Sequence, residues 1–204
     1  AAPVSRIYFE GNYVKGQKAK PMCWSSTTES PDAEVPAEQR QAKFCKDCKQ
    51  HIKGSGQGET RACRFQQRIA VALDGELHKE AVYQVTLPST SVFGDAEGKK
   101  MPLQAYAKFL AGHGVSMTGV VTEARFDTSA AVPVLTFRAV RPLTRDEWEA
   151  AKDASTSEDA ARAVEFKITP RTPKQRDAGP QASPYMDGSP VTPVQAEEEP
   201  AGEP

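Results

Sequence analysis

The chain has 204 residues and a mass of 22.1 kDa, with 38% hydrophobic residues, 26% charged residues and a formal net charge of -1. These values exclude a collagen-like chain, a coiled coil and a strongly polybasic protein. No apolar run approaches the roughly 18 residues that cross a bilayer. The stretch Ala1 to Ile7 lacks the long apolar segment of a secretory signal, so an intracellular, non-membrane protein is expected.

The near-zero charge conceals an arrangement. Residues 1–73 carry a balance of +5, residues 74–166 a balance of -4, and the remainder -2. A basic contact face beside an acidic tail is compatible with that distribution.

In chain order, VSRIYFEGNYVK reads as an extended segment carrying Tyr8, Phe9 and Tyr13 and broken by Gly11 and Asn12. Ser25 to Gln39 is polar, contains Pro31 and Pro36, and reads as a surface excursion. RIAVALDG and HKEAVYQVTLP form a hairpin pattern with Asp74-Gly75 at the junction. Met101 to Ala111 suits a helix: Pro102 fits its first turn, and Leu103, Tyr106, Ala107 and Leu110 recur at helical spacing. Gly112 and Gly114 supply a stop. Two strand-like stretches follow, VSMTGVVTEARFD and VPVLTFRAVRP. LTRDEWEAAKDA then predicts a short helix with Thr144 as cap and Glu147 three residues on.

This order lacks the repeated strand-helix crossovers and the phosphate loop of a dinucleotide-binding fold. It predicts a mainly β domain with short helices, a strongly curved sheet or an open or closed barrel of the oligonucleotide-binding type. The domain is expected over residues 1–165. Residues 166–204 read as a disordered, proline-rich, acidic tail ending in EEEP and AGEP.

The chemistry-bearing residues cluster early. Cys45 and Cys48 form a CxxC pair, Cys63 returns after a glycine-rich segment, and Cys23 precedes them. Four thiolates brought together by the fold suit a structural zinc site, here a zinc loop over about residues 23–63. Alternatives are redox chemistry or ordinary free cysteines. His51 could replace one distant cysteine, Cys23 first among them, but reads rather as a surface histidine or one that supports the cluster from outside. A four-cysteine site leaves no position for an activated water, so its role is to hold a loop.

Arg40, Lys43, Lys46, Lys49, Lys53, Arg61, Arg64 and Arg68 surround these cysteines, against Asp47 and Glu59 alone. Trp24, Phe44 and Tyr13 neighbour polar segments and are candidate stacking residues. Phe9, Phe65 and Tyr83 suit a core at least as well. Bases stacked on aromatics, with phosphates beside Lys or Arg, describe a groove for single strands read without sequence. GSGQG at 54–58 lacks the GK[ST] ending of a phosphate loop; it serves to turn the chain back, with backbone contacts to phosphate as a secondary role. There is no HExxH, and no nucleophile, base and acid fall into a known pattern, so an enzyme is not expected.

CKDC at 45–48, KGSGQGETRACRFQQRIAVAL at 53–73, MPLQAYAKFLAGHG at 101–114 and VPVLTFRAV at 132–140 together resemble a family of bacteriophage single-stranded DNA-binding proteins. The resemblance spans about residues 1–150. It implies an oligonucleotide-binding barrel and an acidic carboxy-terminal tail. The function implied is binding and protecting single-stranded DNA during phage replication or recombination, in the cytoplasm of the infected host. Contacts fall to Lys43, Lys46, Lys49, Lys53, Arg61, Arg64 and Arg68 with Tyr13, Trp24 and Phe44. Glu197, Glu198 and Glu199 would shield the groove or recruit replication proteins, although the tail lacks an apolar terminal docking residue. The competing expectation is a zinc-stabilised protein-interaction module acting on host replication or transcription machinery.

Overall fold

Strands from the first half of the chain build one antiparallel sheet. β1 (Val4–Tyr8) pairs with β2 (Cys23–Ser25) on one side and with β3 (Cys63–Val71) on the other. β3 then pairs with β4 (Tyr83–Pro88), giving the order β2-β1-β3-β4. The computed structural model describes residues 1–11, 19–77, 81–98 and 100–168. These lie in a compact unit, Ala1–Arg171, whereas the second unit, Thr172–Pro204, falls outside the described residues.

Strand register decides what each face carries, because paired residues share a face and neighbours along a strand alternate. Val4, Arg6 and Tyr8 share one face with Phe65, Gln67, Ile69, Val85 and Leu87, and at the β2 end with Cys23, Ser25 and Cys63. Ile7, Trp24, Arg64 and Arg68 lie on the other.

The first face packs against helices. α1 is a single turn, Ser89–Val92, and α2 runs Leu103–Gly112. Leu103, Tyr106 and Leu110 form the buried stripe of α2 that the spacing predicts, and join Leu87, Val92 and Phe137 in the main core. Each large side chain buried there contributes about 1.5–3 kcal/mol. Pro102 caps α2, and its carboxy-terminal end turns at Gly114, whose φ of +68° suits glycine.

The remaining strands form a separate hairpin, β5 (Val120–Phe126) and β6 (Leu135–Pro142). Thr122 pairs with Ala139 but Val121 with Arg141, so Val140 is the extra residue of a bulge. Tyr106 fastens α2 to this hairpin through a 2.7 Å hydroxyl contact with Thr122 and by stacking on Phe137. Buried Ser91 accepts the Leu135 N–H at 2.9 Å.

α3 (Arg145–Thr156) starts on the Thr144–Glu147 capping box that the sequence predicts. α4 (Glu158–Val164), which sequence reading missed, is capped by Ser157 and packs on β3 and β4. Beyond it, Phe166 and Ile168 pack with Trp24, Val35 and Ile7 in a second cluster. The packed chain therefore continues through Ile168, past the expected boundary at 165.

The barrel expectation is overturned. Among the described residues β5 and β6 form a two-stranded sheet whose β6 edge meets the chain again only in a single bridge, Phe137 to Met101; the larger sheet ends at β2 and β4, and neither closes. The fold is mixed α/β with two small sheets, not mainly β and OB-like. Strand count misled here because the late strand-like stretches form a local hairpin with α2 packed beside it. Among the described residues no helix is long and apolar enough to cross a membrane.

Candidate nucleic-acid interface

At the β2 end of the sheet, β1, β2 and β3 present Tyr8, Arg6, Cys23 and Cys63 to a cavity of about 20 Å³. Two 3-10 turns, Cys45–Asp47 and Lys49–His51, close it with Cys45 and Cys48. The short turns follow from CKDCKQH: Cys48 N–H reaches Cys45 O and His51 N–H reaches Cys48 O. Cys45 N–H donates to Glu29 O at 2.8 Å, which anchors the turns to the polar excursion. Buried Arg6 donates to Cys45 O at 3.2 Å, and its guanidinium lies 4.4 Å from the Phe65 ring centre.

The fold thus brings the four predicted cysteines around one space, all of them free. The zinc expectation nevertheless fails. Among the described residues no group of three or more His, Cys, Asp or Glu side chains is placed to hold a metal ion. Burial pushes the Cys23 and Cys45 thiols up, and takes Cys63 to about 12, with the neighbouring Cys48 adding to that rise. Protonated thiols in such a setting behave as small apolar side chains. Cys23 accordingly joins Trp24 and Val35 in a core cluster. Shared location came from the sequence spacing; a donor geometry did not.

His51 does not replace a cysteine. Its ring meets Phe65 edge-on at 5.7 Å, and burial, helped by the charges of Arg6 and Arg61, lowers its pKa.

The glycine-rich return is a tight knob. Gly54 and Gly56 N–H groups both donate to Thr60 O at 3.0 Å, and Ser55 N–H donates to Ile52 O. A Cβ on Gly56 would meet Thr60 Oγ1 at 2.6 Å and the backbone of Arg61 at 3.0 Å. The amides of Gly54, Ser55 and Gly56 are therefore engaged internally, which counts against these three as the phosphate cradle expected as a secondary role of GSGQG.

Outside this packed base lies a basic surface. Phe44 is 45% exposed, and the Lys43 and Lys46 ammonium groups stand 5.4 and 6.0 Å from its ring centre. Lys49, Lys53, Arg61 and Arg64 are exposed on the same segment, and so is Ile52. Lys53 forms a fully solvated pair with Glu59, and Arg61 is steered by the His51 carbonyl at 2.9 Å. Arg40 is held by the Val35 and Ala33 carbonyls.

Two predicted contact residues change role. Trp24 is 3% exposed and belongs to the core, because Cys23–Ser25 is a strand rather than the start of a loop. Arg68 lies on the sheet face covered by α4, where it donates to the Glu165 carbonyl and covers Phe166, with its ring contact at 5.1 Å. Tyr13 lies outside the described residues, as do Glu197, Glu198 and Glu199. Ile52, an exposed apolar residue between Lys49 and Lys53, was missed; its place in a basic run was the available signal.

No known protein family, curated protein or solved structure matches the chain, so its function is read from its own side chains.

Proposed function

We propose that the chain binds single-stranded DNA, largely without sequence preference, through the surface that projects from the cysteine-lined turns. The observation that carries this reading is Phe44: a solvent-exposed ring flanked by two ammonium groups. An aromatic face of that kind accepts an unpaired base, and lysines spaced around it neutralise the phosphates on either side. Duplex bases are already stacked and present no free face, so the single strand is preferred. Lys49, Lys53 and Arg61 extend the charged path, and the apolar Ile52 adds a second contact for a base.

The role is binding and protection rather than bond making. The packed base supports it: Cys45 is tied to the sheet through Arg6 and to the polar excursion through Glu29, so the turns that carry the cations are anchored on two sides.

Titration of the full chain with single-stranded DNA, double-stranded DNA and RNA of equal length, at several salt concentrations, tests the proposal. Salt-sensitive binding that favours single-stranded DNA over duplex is expected. Absence of binding to all three overturns it, and equal affinity for RNA would widen the substrate to single strands in general.

A further inference from the structure

Among the described residues β5 has one partner strand and one open edge. Its inner side pairs with β6, and among the described residues no strand pairs with the other side. Its contacts lie chiefly with β6 and the adjoining turn Met117–Gly119. An open strand edge is a template for another strand, and proteins that avoid such pairing blunt it with proline, lysine or a bulge in the edge strand. VVTEARF carries no proline and no lysine, and the bulge lies in β6 at Val140, not in β5.

The backbone phase of β5 is readable. Asp127 N–H donates to Val134 O at 2.8 Å, on the β6 side. Backbone groups alternate in direction along an antiparallel strand, so Arg125 and Glu123 also bond towards β6. The N–H and C=O of Thr122, Ala124 and Phe126 therefore point to the open edge.

We infer that this edge pairs with the same edge of a second copy, antiparallel about a twofold axis at Ala124. In that register Ala124 bonds to its own equivalent, and Thr122 bonds to the partner's Phe126. Glu123 falls opposite the partner's Arg125, and Arg125 opposite the partner's Glu123. Those two pairs sit at the closely spaced positions of the ladder, where side chains approach best. The strand is self-complementary in charge only when centred there. Within one chain Glu123 already accepts from Arg138 at 2.8 Å and from Arg125 at 3.0 Å, with Arg125 the more exposed of the two arginines. Exchange of Arg125 to the partner's Glu123 keeps Arg138 in place and leaves each carboxylate doubly paired. Phe126, 61% exposed in the single chain, gains cover against the partner's Thr122.

The free edge of β4 offers no such match: YQVTLP is uncharged and ends in Pro88. β2 is three residues long. A second copy on β5 is thus the occupant that the charges select.

Sedimentation or light scattering of the full chain across micromolar concentrations is the test, with circular dichroism to confirm folding. Wild-type protein is expected at twice the 22.1 kDa of one chain. Arg125→Glu sets carboxylate against carboxylate, and Glu123→Arg sets guanidinium against guanidinium. Each alone is expected to weaken the dimer by about tenfold or more. Mixed together, the two folded variants restore both opposite-charge pairs and should form a heterodimer. A wild-type monomer at every concentration overturns the inference. So does a dimer that Arg125→Glu leaves intact, or a pair of variants that fail to associate on mixing.

Discussion

Two aromatic residues twenty positions apart separate binding from folding. Phe44 stands in solvent between Lys43 and Lys46, whereas Trp24 is buried with Val35 and Ile7. Phe44→Ala should leave the melting temperature nearly unchanged and weaken single-strand binding by about 1–3 kcal/mol, the usual contribution of a stacked base. Trp24→Ala should instead cost about 3–5 kcal/mol of stability through the cavity it leaves. Fluorescence anisotropy and thermal denaturation of both variants distinguish these outcomes. The cysteines make a second prediction at this scale. Thiolate, not thiol, attacks a disulfide reagent, and burial holds Cys23, Cys45 and Cys63 above their ordinary 9.0. At pH 8 these thiols should react slowly with an aromatic disulfide in the native protein and rapidly once it is unfolded in guanidinium; equal rates would show that the packing around the cavity is absent.

The elements most legible in the sequence are those whose signals are local. α2 carries its stripe at Leu103, Tyr106 and Leu110, and α3 begins on Thr144 with Glu147 three residues later, as both patterns require. Strands β5 and β6 also fall within their expected stretches. What escaped depends on distant partners. Cys23–Ser25 is a strand only because Tyr8 and Ile7 lie alongside, and α4 is a short run whose buried face, Ala160 and Ala163, is too small to signal itself. The candidate site divides in the same way. The basic and aromatic residues of 43–64 were visible as a cluster, but Arg68 was lost to Phe166, about a hundred positions away, and thiol geometry cannot be read from spacing. The start of α3 has a measurable consequence. The Arg141 guanidinium, then the Thr144 N–H, holds the Glu147 carboxyl at about 2, below its ordinary 4.5. Asp127 is likewise held at about 2, below 3.8, first by Lys100 and then by Ser129. Depressed carboxyl pKa values add stability above the ordinary values, and that addition is lost as pH falls through the depressed ones. The melting temperature should therefore decline between about pH 5 and pH 2. Glu147→Gln should lower it at neutral pH and flatten that decline, the two proteins converging at the acid end.

For the whole molecule the charge of -1 sets the problem, since a nearly neutral chain has little net charge with which to draw in a polyanion. Affinity for a nucleic acid must then come from a local set of cations, and the salt dependence of binding should be concentrated in few residues. Each phosphate neutralised on a single strand contributes about 0.7 to the slope of log affinity against log salt. Lys43, Lys46 and Lys49 are exposed along the turns around Phe44. Replacing all three by alanine should reduce the slope by about 2 and leave the fold intact. Arg68→Ala is the informative contrast. Its guanidinium is engaged with the Glu165 carbonyl and the Phe166 ring on the covered face of the sheet. That substitution should lower thermal stability while leaving the salt slope unchanged. If Arg68→Ala flattens the slope and the triple lysine variant does not, the strand runs over the opposite face of the sheet and α4 must move aside to admit it.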